Sequence, residues 1–118
     1  MQWAVWLAEE RHDARILAFV ETKAGAIFSR LVSHVVGGKV RLRYQGQAGN
    51  RVSHCALDLK TESLGTLHIE ESADSDFAAV TKALRTAQSR LKRALNRRRE
   101  VARRRRDTDV SMSELDAA

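Results

Sequence analysis

The chain has 118 residues, 43% of them hydrophobic, with 21 Lys and Arg against 15 Asp and Glu. That suffices for one domain around one core and is too little for two. A single cysteine, Cys55, excludes an intrachain disulfide and points to a reducing, cytosolic setting. The first apolar run, Trp3 to Ala8, falls far short of the roughly 20 residues a spanning helix needs, and Glu9, Glu10, Arg11 and Asp13 follow it at once. Neither secretion nor a membrane span is expected.

Trp3, Val5 and Leu7 alternate with Gln2, Ala4, Trp6 and Ala8, a period of two that predicts a first strand over 2–8. Asp13 can cap the helix that follows. Its apolar positions Ile16, Val20, Ala24, Ile27 and Leu31 recur at three and four, predicting helix one over 13–34. Gly37 and Gly38 are read as ending that pattern. Val40, Leu42 and Tyr44 then alternate with Lys39, Arg41 and Arg43 as a second strand, and Gln-Ala-Gly-Asn at 47–50 supplies turn chemistry. Cys55, Leu57 and Leu59 alternate with His54, Ala56, Asp58 and Lys60 in a third strand over 51–60. Past Gly65, Leu67 and Ile69 mark a fourth, expected to be the shortest. Both turns favour antiparallel pairing.

From Asp74 the period becomes helical, with Phe77, Val80, Leu84, Ala87, Leu91 and Leu95 along one side. At about 100° per residue, Lys82, Arg85, Lys92, Arg93 and Arg97 lie nearly opposite that stripe. The stripe thins to Val101 and Ala102, so helix two is expected to end near 104. Residues 107–118 are acidic and small, and a disordered tail is expected there after a domain over 1–106. The order β-α-β-β-β-α, in strands that bury one face, predicts an α+β two-layer sandwich. A four-stranded sheet would carry both helices on its apolar face.

Charge is segregated. Residues 82–106 hold 12 Lys and Arg against one acid, Glu100, for a net +11 in a chain whose total is +6, which leaves −5 elsewhere. A solvated helix usually alternates signs for i,i+4 support, whereas this one repels itself until something neutralises it. A lipid surface would supply phosphates, but an amphipathic lipid binder needs its bulky apolar residues free to insert, and here they face the sheet. Nucleic acid is the expected partner. Lys23 and Arg30, seven apart, are placed on one side of helix one, where they could join the helix-two cations Lys82, Arg85, Arg90, Lys92, Arg93 and Arg97. No residue pattern suggests base-edge reading, so shape and backbone recognition of structured RNA fits better.

Catalytic and metal chemistry find little support. His12, His34, His54 and His68 form no His-x-x-x-His pair, and no Cys-x-x-Cys exists. Cys55 falls on the inferred core face, where a thiol is inert. Glu70 and Glu71 are strand neighbours whose side chains diverge, and the glycines form no phosphate-cradling pattern. No cofactor, metal or small-molecule substrate is expected. Trp6 points away from the core toward Arg41, Arg43 and His68; it either stacks a base or shelters under long side chains, and shelter is the plainer reading.

Several segments together resemble a family. ARILAFVETKAGAI in helix one, HCALDL and LHIEES in strands, and SDFAAV opening a long basic helix look like the short ribosome hibernation-promoting factors, also called ribosome-associated inhibitors or sigma-factor modulation proteins. The likeness spans roughly residues 1–100. It implies a double-stranded-RNA-binding-domain-like fold and a non-catalytic, cytoplasmic translation inhibitor. Such a factor would sit on ribosomal RNA in the small subunit's decoding channel, blocking mRNA and tRNA sites under stress or in stationary phase, and be a monomer off the ribosome. By position, Lys23 matches the family's helix-one lysine, and Arg93 matches a lysine after the leucine that is Leu91 here. The family's mid-helix lysine and arginine fall on Thr86 and Ser89, while Arg85 and Arg90 stand one residue away, a rotation of about 100°. A double-stranded RNA-binding module unconnected to the ribosome resembles the chain less well, since the Gly-Pro-x-His loop of such domains is missing. A third reading docks the basic helix on an acidic protein.

Overall fold

A computed structural model describes residues 1–7, 14–46 and 52–116, with side chains as far as Arg104. Element order is β1 (Gln2–Leu7), α1 (Ala14–Ile27), β2 (Val35–Gln45), β3 (Val52–Thr61), β4 (Thr66–Ala73) and α2 (Asp76–Asp116), the expected β-α-β-β-β-α. The strands form one sheet in the order β1-β2-β3-β4. β1 runs parallel to β2, as a helical crossover between them requires. The β2–β3 and β3–β4 pairs are antiparallel, as the turns predicted. The proposed Asp13 cap and the 47–50 turn lie outside the described residues.

Register sorts the strands into two faces. Val5 sits opposite Val40, Val40 opposite Leu57, and Leu57 opposite Ile69, so one apolar row crosses all four strands. Val40, Leu57, Leu59 and Ile69 are buried to within 1% of completely. Burying each such side chain contributes about 1.5–3 kcal/mol. The alternate residues, among them Trp6, Arg41, Ala56 and Glu70, share the other face.

The chain divides into two units, Met1–Gln88 and Ser89–Ala118. In the first, α1 buries Ile16, Val20 and Ala24, and Phe28 just beyond it stacks on Trp3 of the core face, ring centroids 6.3 Å apart. The first turns of α2 bury Ala79, Val80, Ala83, Leu84 and Ala87. They meet α1 where Phe77 packs edge-on against Phe19 at 4.9 Å and where Gln88 Nε2 donates to the Ile27 carbonyl at 2.9 Å. Helix α1 and the first turns of α2 therefore cover the apolar face, completing the α+β sandwich. In the second unit Leu91 and Leu95 are buried.

The start of α2 is fixed by polar groups. Ser75 Oγ accepts from the Ala78 amide at 3.1 Å, an N-cap that satisfies one of the helix's orphan donors. Asp76 adds negative charge to the first turn, favourable to the helix dipole. Its carboxylate also accepts from Ser53 Oγ at 2.6 Å and Tyr44 Oη at 2.8 Å. Ser53 is 2% exposed, so its hydroxyl has Asp76 in place of water.

Four boundaries differ from the sequence reading. Helix one stops at Ile27 rather than 34, because the backbone tightens into i→i−3 bonds: Leu31 N to Phe28 O at 2.9 Å and His34 N to Leu31 O at 2.8 Å. Gly37 and Gly38 do not end a helix; they lie inside β2, which begins at Val35 with an irregularity in pairing between Val35 and Gly37. A Cβ on Gly37 would stand 2.0 Å from the Gln2 carbonyl oxygen, and one on Gly38 2.6 Å from the Trp3 ring. β4 spans eight residues and β1 six, so among the described residues β1 is the shortest strand. Finally, α2 continues as helical backbone to Asp116, past the expected end near 104.

Candidate nucleic-acid interface

The first unit brings Lys82 and Arg85 to the exposed side of α2, flanking the buried Ala83, Leu84 and Ala87. The two cations differ in what surrounds them. Lys82 Nζ lies 3.6 Å from Glu71 Oε2 and 3.4 Å from the Ser72 carbonyl, so part of its charge is met within the protein. Glu71 reaches it because β4 register puts Glu71 on the core face opposite Cys55, at the margin where α2 crosses; its other carboxylate oxygen accepts from Thr86 Oγ1 at 3.0 Å. Arg85 forms no ion pair among the described residues.

In the second unit Arg90, Lys92, Arg93 and Arg97 are all exposed around the buried Leu91 and Leu95, and Arg98, Arg99 and Arg103 continue the exposed series. Arg90 is engaged in an interaction of its own. Lys92, Arg93 and Arg97 have no carboxylate partner among the described residues. Burial of leucines therefore presents guanidinium groups to solvent, where their fork geometry suits phosphate oxygens.

Two expected members of the site sit differently from the reading. Lys23 is on α1 but half-buried. Arg30 is exposed, yet it belongs to the turns after Ile27 and not to the helix, so the seven-residue spacing does not align it with Lys23. The hydrogen bonding that tightens from Phe28 onward turns Arg30 off the helix.

The open sheet face holds a polar cluster that residue parity implied but no pattern singled out. His68 Nδ1 donates to Asp58 Oδ1 at 2.6 Å, and Arg41 Nη2 lies 3.3 Å from Asp58 Oδ2. The His68 hydrogen bond, joined by the Arg41 guanidinium, holds the Asp58 carboxyl below its ordinary range. Reciprocally, Asp58 raises the pKa of His68, with Glu70 adding to it. His68 Nε2 is 3.5 Å from Glu70 Oε1, and a hydrogen bond of 2.9 Å joins His54 Nδ1 and Ser72 Oγ. The signal available in sequence was Asp58 and His68 at the same parity on strands joined by a short turn.

Trp6 is 62% exposed, so it does not shelter under its neighbours. Cys55 is fully buried, and burial, with Asp76 and Glu71 nearby, pushes its thiol up to about 12. Such a thiol is no nucleophile at neutral pH. Glu70 and Glu71 do diverge, one to each face. Among the described residues no cluster of His, Cys, Asp and Glu is arranged to hold a metal, and no helix is long and apolar enough to cross a membrane.

No known family profile matches the chain, and no curated protein matches it in sequence. Solved structures do match in fold. The N-terminal domain of Protein Y from Thermus thermophilus is 17% identical, with a TM-score of 0.63 over 79% of this chain and 96% of that one. A ribosomal subunit interface protein from Coxiella burnetii is 9% identical, with a TM-score of 0.65 over 81% of this chain and 99% of that one.

Proposed function

We propose that the protein is a ribosome-associated translation inhibitor of the hibernation-promoting type, a reading supported by the α+β fold it shares with the Protein Y N-terminal domain and a ribosomal subunit interface protein and by the segments ARILAFVETKAGAI, HCALDL, LHIEES and SDFAAV. On this reading it works in the cytoplasm without catalysis, binds ribosomal RNA of the small subunit in the decoding channel, and obstructs mRNA and tRNA sites under stress. The observation that carries the reading is the set of exposed cations on α2, Arg85, Lys92, Arg93 and Arg97, with no carboxylate partner among the described residues. Arrayed cations without internal neutralisation call for an external polyanion, and phosphate contacts release counterions. Lys82, Arg90, Lys23 and Arg30 contribute at the margins, Lys82 after exchanging Glu71 for phosphate.

Mechanistically the inhibition is steric and electrostatic. Guanidinium forks grip phosphates, and the sandwich fills the space that messenger and anticodon ends would occupy. Affinity then depends steeply on salt and little on sequence. Sedimentation of purified protein with ribosomal particles tests this directly: co-migration with the small subunit at low salt, lost as salt rises, is expected. Absence from every ribosomal fraction at low salt would refute the proposal, and capture that survives ribonuclease would redirect it to an acidic protein partner.

A further inference from the structure

The open sheet face, which lies wholly within Met1–Gln88, is a second surface with its own chemistry. A row crosses the four strands there: Trp6 stands opposite Arg41, Arg41 opposite Ala56, and Ala56 opposite Glu70. One step along, Arg43 pairs with His54. Ala56 contributes only a methyl group between larger neighbours, and the result is a hollow of about 360 Å³ lined by Trp6, Arg41, Arg43, His54, Ala56 and Glu70, with His68 at its side. That volume lies at the lower end of small-ligand sites. It suits one planar group with its substituents.

Three observations say what kind of ligand fits. First, an indole 62% exposed on a sheet is a flat apolar platform, and every nucleobase has a face that stacks on such a ring. Second, this face carries Lys39, Arg41, Arg43 and Lys60 against Asp58 and Glu70, an excess of positive charge. Asp58 engages Arg41 at 3.3 Å, whereas Arg43 forms no ion pair among the described residues and can take a phosphate. Third, His54 Nε2 is buried without a hydrogen-bond partner, 3.8 Å from the Glu70 carboxylate and too far to bond it. Glu70 is half exposed, and its displacement would open Nε2 to a polar edge of a ligand.

We propose that this hollow binds an unpaired RNA nucleotide, the base stacked on Trp6, the phosphate on Arg43 with Arg41 beside it, and His54 Nε2 bonding the base or sugar. Single-stranded RNA is favoured over duplex because paired bases do not offer a face to stack. The site uses none of the α2 cations and stands independently of the ribosomal reading.

The probe is a fluorescently labelled hexaadenylate RNA, titrated against the full chain and against the chain carrying R85Q, K92Q, R93Q and R97Q. Both should bind it with quenching of tryptophan emission. Adding Trp6→Ala to the four-substitution chain should weaken binding about tenfold or more. Adding Arg43→Gln instead should weaken it less and lower the salt slope by about 0.7. A blunt-ended RNA duplex should leave the emission of the four-substitution chain unchanged. Affinity for hexaadenylate that is indifferent to both Trp6→Ala and Arg43→Gln overturns the proposal, as does its complete loss in the four-substitution chain. The ribosomal reading fails separately, by sedimentation of the four-substitution chain unchanged from the parent.

Discussion

Arg41 on the open sheet face and Arg85, Arg93 and Arg97 on α2 are all exposed, but of these only Arg41 has a carboxylate partner among the described residues. On the sheet, antiparallel register sets Asp58 beside Arg41 and His68 and draws the three into one cluster. On α2, the stretch 82–106 offers 12 cations and one acid; Lys82 reaches Glu71 on a strand, while Arg85, Lys92, Arg93 and Arg97 have no carboxylate partner among the described residues. A cation with a built-in partner contributes to the fold and little to binding. One without a partner carries repulsion that an incoming phosphate relieves.

The largest test of that contrast removes the unpartnered set. Replacing Arg85, Lys92, Arg93 and Arg97 with Gln should lower affinity for ribosomal particles by about two orders of magnitude at 0.15 M salt and flatten the log–log salt slope by about 3. A slope identical to the parent's would mean that phosphates meet a different surface. Next in size is Asp76→Ala, which strips the acceptor from Ser53 and Tyr44 and a favourable charge from the first turn of α2. Urea unfolding should show a loss of about 2–3 kcal/mol, while Tyr44→Phe alone should cost about 1 kcal/mol.

Smaller, and diagnostic through pH, is Asp58→Asn. Asp58 has a lowered pKa, so its contribution is present above the unfolded value near 3.8 and fades as pH falls through the folded one. His68 has a raised pKa, so its contribution is full below 6.5 and fades as pH rises through the folded value. The stability gap between parent and variant should therefore be widest between about pH 4 and 6.5 and narrow on either side, as denaturation midpoints at pH 5 and 8 would reveal. Because His68 and Arg41 are more than half exposed, the gap is modest. Smallest is removal of residues 107–118, which we propose are dispensable for the sandwich. The thermal midpoint should stay put, and with Asp107, Asp109, Glu114 and Asp116 gone, RNA affinity at low salt should rise a few-fold at most.

Strand parity was fully legible, since Val40, Leu57 and Ile69 declare the buried face by a period of two and the register keeps them in one row. So was the apolar stripe of α2. Less legible was the end of α1, because Leu31 and Val32 keep an apolar pattern alive after hydrogen bonding has shifted to i→i−3. The Gly37–Gly38 pair misled for a physical reason: lack of a side chain serves a helix stop and a close strand approach equally well. The reach of α2 past 104 was not legible, because in 105–116 the strong helix formers Arg105, Arg106, Met112, Glu114 and Leu115 are outnumbered by Asp, Ser, Thr and Val. Of the candidate site, the exposed arginines were foreseen. The engagement of Lys82 with Glu71 was not, because it joins elements whose proximity only the folded chain creates.

Those two glycines also have a reach beyond their own strand. The backbone of Gln2 and the ring of Trp3 occupy the volume where a methyl on either would fall, so even alanine there must lever the N-terminal strand away from its neighbour. Trp6 rides on that strand, three residues along from Trp3. Whatever lands on the indole is thus hostage to two missing carbons on β2, and a substitution far from the hollow could silence it without touching one of its walls.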